Sequence, residues 1–273
     1  MRTRSVFLLA IPVLAIAHAT ASAQISLASP SVMEHQAAPG ESYTGTLVIR
    51  NGSAEPQEAK IYHTDYLTFA NGTTSYAEAG TTPHSNADWI SVQPSYVTVP
   101  PHQAVDVTYT VHVPRSAVRP LVGTYWSMLM VEGIPKGSAE SRYASAGKRK
   151  VQVGIVTRLR YAVQIATDIG GTGTRKVKFA NAKAIVDASG KQLQFDLINT
   201  GERAYTPHIS LELYSESGDR VATRAASREL TYPGTSLRQS FTLGRLPKGR
   251  YRALVIVDTG GDDVFGAQFT IAL

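Results

Sequence analysis

KVQVGIVTRLRYAVQI, Lys150–Ile165, decides the fold. Val151, Val153, Ile155, Thr157, Leu159, Tyr161, Val163 and Ile165 hold every second position. Side chains of a strand alternate between two faces, so this spacing predicts one long β-strand with a single, largely apolar face. At about 3.3 Å per residue it reaches roughly 50 Å, against about five or six residues for an ordinary strand. One small sandwich covers only part of that length. The strand therefore runs between two domains or leaves one end bare, and a bare apolar edge invites pairing with another chain.

Outward from this stretch the same alternation recurs. Thr46–Ile49 precedes the turn pair Asn51-Gly52, and Ala59–Phe69 precedes Asn71-Gly72. Val97–Val99 leads to Pro100-Pro101, Val105 to Val113 alternate strictly, and Tyr125–Ile134 ends at Pro135. C-terminal to it, Leu193–Leu197, Ile209–Leu213, Phe241–Leu243, Tyr251–Val257 and Phe265–Ile271 repeat the pattern between turns. No amphipathic helix of ten residues is evident. Short strands at 8 to 12 residue spacing predict an all-β fold of antiparallel sandwiches. Gly170-Gly171-Thr172-Gly173 lacks the strand-then-helix setting of a phosphate loop and reads as a linker. The expected division is a first domain over 25–165, a linker over 166–174 and a second domain over 175–273.

The N-terminus reads as a secretory signal over 1–23. Arg2 and Arg4 precede the apolar run Val6–Ala17, and Ala21-Ser22-Ala23 is a small-residue cleavage site. Of 273 residues, the 250 beyond it suit two domains. No second stretch is long and apolar enough to span a bilayer. The chain has no cysteine, so an exported fold here depends on core burial, and thiol and zinc-thiolate chemistry are excluded. The formal charge of +6 falls to +4 without Arg2 and Arg4, a mild excess with no arginine-rich helix behind it, so nucleic acid is not an expected partner.

Enzymatic signals are weak. His35, His63, His84, His102, His112 and His208 are scattered, without the i, i+4 spacing of a helical metal site. His63 and Asp65 lie two apart on an expected strand. Asp258, Asp262 and Asp263 do not match the twelve-residue calcium loop and read as a hairpin turn. No nucleophile elbow is present. The expectation is a non-enzyme with no metal and no cofactor. Asn51-Gly52-Ser53 and Asn71-Gly72-Thr73 are sequons by pattern, but serve as turns. Trp126, in a dense apolar strand, is expected in the core.

Several pieces, in order, resemble the periplasmic chaperones of chaperone–usher pilus assembly. Asn51 closes a strand; Trp89-Ile90-Ser91-Val92-Gln93-Pro94 leads through Val97–Pro101 into an alternating strand; Tyr125-Trp126 runs to Ile134-Pro135; a polar loop, Lys136–Lys150, precedes the long strand. The resemblance covers residues 25–165 and implies two tandem immunoglobulin-like β-sandwich domains. It implies that Val151, Val153 and Ile155 complete the fold of a secreted β-rich subunit by edge-strand donation. It implies that Arg160, with Arg158 beside it, anchors the subunit's terminal carboxylate. A periplasmic location and an outer-membrane usher as further partner are implied likewise. The family's first-strand arginine has no counterpart, since Gln24–Ile49 contains no arginine or lysine. The second domain looks like generic immunoglobulin-like domains of surface proteins, so a non-catalytic module binding a surface protein, cell-wall polymer or glycan stands as the alternative.

Overall fold

The computed structural model describes residues 25–115, 120–142, 158–188, 190–226 and 229–273. The first half contributes β1 (Ile25–Leu27), β2 (Val32–Ala37), β3 (Ser42–Asn51), β4 (Gln57–Thr68), β5 (Thr74–Ala77), β6 (Ile90–Gln93), β7 (Tyr96–Val99), β8 (Ala104–His112), β9 (Gly123–Ile134) and β10 (Arg160–Ile169). One sheet has the order β1-β3-β8-β6; the other runs β2-β10-β9-β4-β5, with β7 also on β4. Alternation buries the inward residues between them. Leu47 and Ile49 of β3, Val107 and Val111 of β8, Leu129 and Val131 of β9, and Val163 and Ile165 of β10 share one core. Each such side chain removes about 1.5–3 kcal/mol of apolar surface from water, which is how a cysteine-free chain holds together.

The second half contributes β11 (Val177–Asp187), β12 (Gly190–Asn199), β13 (His208–Tyr214), β14 (Arg220–Ala225), β15 (Ser236–Thr242), β16 (Arg250–Asp258) and β17 (Val264–Ala272). They form the sheets β11-β12-β15 and β14-β13-β16-β17. Phe195, Leu211, Phe241 and Val255 lie in their common core. The molecule is thus an all-β pair of tandem immunoglobulin-like sandwiches. No helix among the described residues is long and apolar enough to cross a membrane.

The decisive stretch differs from its expected form in two ways. Val151, Val153 and Ile155 lie outside the described residues, so the described strand begins at Arg160. It also runs to Ile169, four residues past the expected end, because pairing continues to Gly123 on β9 and to Ala37 on β2. Residues 166–169 are therefore strand, and the linker begins at Gly170. Thr167 and Asp168 hide this extension from an apolar pattern. Thr167 is fully buried, held by the hydroxyl of Tyr43 (2.7 Å) and the amide of Asn86 (3.1 Å).

Two of the junctions between the halves use backbone. The Thr124 amide donates to the Glu202 carbonyl and the Ala204 amide to the Thr124 hydroxyl, each at 2.8 Å. Trp126, 2 % exposed, stacks on Tyr232 with ring centroids 4.5 Å apart. It is buried as expected, but against the second sandwich. Gly123 has φ +78°, and a Cβ there would lie 1.9 Å from the Glu202 carbonyl oxygen, so no side chain fits.

Candidate functional site

The first chain segment is split between the sheets. β1 pairs with β3, the chain crosses at Ala28–Ser31, and β2 pairs in parallel with β10 from Gln164 onward. Before Gln164, β10 has β9 on one side, with Arg160 opposite Glu132 and Val163 opposite Leu129. No strand among the described residues pairs its other edge over Arg160–Val163. Unpaired N–H and C=O groups of such an edge are a template for a further strand. The inward residues here, Tyr161, Val163 and Ile165, pack in their own core.

The outward face carries a charged row. Lys60 on β4 and Arg160 on β10 both sit directly opposite Glu132 on β9, the arrangement in which cross-strand ion pairs form. Glu132 is 2 % exposed. It pairs with Arg160 Nε at 2.7 Å, Arg158 Nη1 at 3.3 Å and Lys60 Nζ at 3.7 Å. The Tyr62 hydroxyl donates to it at 3.0 Å. Glu140 adds a second carboxylate, 2.9 Å from Lys60 and 3.9 Å from Arg158. Burial pushes the Glu132 carboxyl up, but the Tyr62 hydroxyl, Lys60, Arg160 and Arg158 outweigh it and hold it below the usual carboxylate range.

Arg158 and Arg160, expected together, are brought together on one carboxylate. Sequence reasoning missed Glu132 and Lys60. Both lie at alternate outward positions of recognised strands, and only the register of three strands puts them in one row. Three cations face two carboxylates, leaving one positive charge in excess. The Arg160 side chain remains 58 % exposed.

A second buried carboxylate secures the loop after β9. Glu58, 1 % exposed, accepts from the Tyr96 hydroxyl, the Ser141 hydroxyl (2.5 Å) and the Arg142 amide (3.0 Å). The Arg142 guanidinium lies 3.9 Å over the Tyr96 ring.

Other candidates resolve into structure. Asp65, fully buried, accepts the Thr81 and Thr82 amides and the Ser85 hydroxyl, which shapes the loop before β6; it makes no bond to His63. Asn51 is likewise buried and donates to the carbonyls of Glu55, Val99 and Pro100. Asp258–Asp263 form the β16–β17 turn, in which the Gly260 amide donates to Asp258. No group of three His, Cys, Asp or Glu suited to a metal occurs among the described residues.

No protein-family model matches the chain, and no curated protein does. Solved structures do resemble it. A complex of a chaperone with the tip adhesin of CFA/I fimbriae has a TM-score of 0.47 at 13 % identity, covering 91 % of this chain and 99 % of that one. The class 5 fimbrial chaperone CfaA gives 0.47 at 12 %, covering 90 % and 98 %. The CsuC–CsuE chaperone–tip complex of Acinetobacter baumannii gives 0.44 at 12 %, covering 91 % and 98 %. At these identities and scores the likeness assigns no function.

Proposed function

We propose that this chain is a periplasmic chaperone-like protein that binds secreted β-rich subunits of pili or other surface structures by donating an edge strand. The observation that carries the reading is the open edge of β10 over Arg160–Val163, bonded to β9 alone. Immediately before it in sequence stand Val151, Val153 and Ile155, proposed to fill the groove of an incomplete subunit. Burying three such side chains yields roughly 4–9 kcal/mol before ordering and association costs. The terminal carboxylate of a subunit would meet Arg160 and Arg158, whose cluster has one positive charge to spare. An outer-membrane usher is the further partner expected, and no catalytic role is proposed.

The test replaces Val153 and Ile155 with serine and follows co-purification of surface subunits expressed with the protein. The expected result is a folded, exported protein that captures none. Undiminished capture refutes the reading, and collapse of the protein itself assigns these residues to its own core.

One observation favours a second reading. Arg158 and Arg160 already share an internal carboxylate, Glu132, so the cations also serve as a structural clasp. A module binding a folded surface protein or glycan needs no more than that. It would co-purify with a folded partner or a polysaccharide.

A further inference from the structure

The mild basic excess of the chain is not spread evenly. Residues 24–174 hold 11 Lys and Arg against 11 Asp and Glu, whereas residues 175–273 hold 14 against 10. Between Leu230 and Val257 there is no Asp or Glu at all. The β15–β16 loop, Leu243-Gly-Arg-Leu-Pro-Lys-Gly-Arg250, lies in this stretch and exposes Arg245, Lys248 and Arg250. Two cations from other strands are tied to its backbone. Lys191 Nζ donates to the Leu246 carbonyl at 2.7 Å. Arg224 donates to the carbonyls of Thr242 at 3.1 Å and Leu243 at 3.3 Å. Five cations thus gather at one end of the second sandwich, and none of them is in an ion pair among the described residues. Three carboxylates come near by topology: Asp187, beside Lys191 at the β11–β12 hairpin, and Glu216 and Asp219 in the β13–β14 turn, which lies at this end because Tyr214 sits opposite Arg252. Arg252, exposed on β16 and in no ion pair among the described residues, adds a sixth cation there, so three positive charges remain uncompensated.

We propose that this pole is an electrostatic docking surface for the anionic headgroups of a lipid bilayer. Carbonyl acceptors hold Lys191 and Arg224 without neutralising them, so the loop keeps its charge. Leu246 is turned toward the core and Pro247 is the one apolar side chain the loop exposes. There is no aromatic side chain in it for stacking on bases and no apolar anchor of the kind that dominates protein interfaces. A surface of distributed phosphate charge asks for neither; each Lys or Arg beside it adds attraction that falls off within a screening length.

The test is co-sedimentation of the mature protein with phosphatidylcholine vesicles, with and without phosphatidylglycerol. The wild type should pellet with the anionic vesicles alone and be released in about 1 M salt, where the screening length is about 3 Å. The variant Arg245→Ser/Lys248→Ser/Arg250→Ser should bind them about 100-fold more weakly. The control Lys176→Ser/Lys178→Ser/Lys183→Ser loses the same charge elsewhere on the second sandwich and should bind nearly as wild type. Equal loss in the control, binding to neutral vesicles, or no binding to anionic ones overturns the proposal. Retention on immobilised polyglutamate without vesicle binding overturns it in favour of an acidic protein.

Discussion

Replacing Glu132 with glutamine removes one charge while keeping the shape of the side chain and an acceptor for Tyr62. The three cations around it then face one another with Glu140 as their sole carboxylate. Breaking a fully buried ion pair costs about 3–5 kcal/mol. Here Lys60, Arg158 and Arg160 keep 32 %, 40 % and 58 % of their side-chain surface in water, so they rehydrate when released. The cost therefore falls toward the roughly 1–3 kcal/mol of a lost charge-assisted hydrogen-bond network. The assay is urea unfolding at neutral pH, where that loss lowers the midpoint with little change in slope. Glu132 titrates below its unfolded value, so its contribution is complete above that value and disappears as pH falls through the folded one. The difference between wild type and variant should accordingly close in acid. Equal midpoints at pH 7, or a gap that survives acidification, would refute the view that the clasp is electrostatic.

Trp126→Ala should cost about 3–5 kcal/mol in the same assay, since a nearly fully buried indole stacked on Tyr232 is lost; a loss under about 1 kcal/mol would mean the junction repacks freely. Gly123→Ala should split thermal unfolding into two transitions, because the new Cβ would overlap the Glu202 carbonyl at φ +78°; calorimetry showing one unaltered transition would contradict the backbone clasp. His63 and His84 are kept neutral chiefly by burial, their pKa values below the ordinary 6.5. Protonation thus favours the unfolded chain, and stability should decline as pH drops below about 6.5. The double variant His63→Gln/His84→Gln should flatten that slope, and an unchanged slope would exclude these rings as its source.

Strand identity was legible wherever apolar residues alternate: β4, β8, β9, β12, β13, β16 and β17 stand close to where Ala59–Phe69, Val105–Val113, Tyr125–Ile134 and their successors place them. β11 and β14 escaped because their burial is shallow. Lys178, Lys183 and Arg224 interrupt the apolar rows of these two strands, each at the side of its own sheet. β2 escaped because Glu34, His35 and Gln36 are exposed and its partner is far off in sequence. Of the candidate site, Arg158 and Arg160 could be picked out as basic residues on a strand. Glu132 could not: a lone carboxylate on an apolar strand gains its meaning from the register of β4 and β10 on either side.

The parallel pairing of β2 with β10 has a consequence for how the molecule is made. Val32 finds its partner at Gln164, nearly half the chain's length away. An N-terminal sandwich leaving the ribosome must therefore wait, one sheet lacking its border strand pair, until the last of β10 has been synthesised. Contacts so remote in sequence close slowly, so during synthesis the newly made polypeptide is itself an incomplete sheet awaiting its final strand.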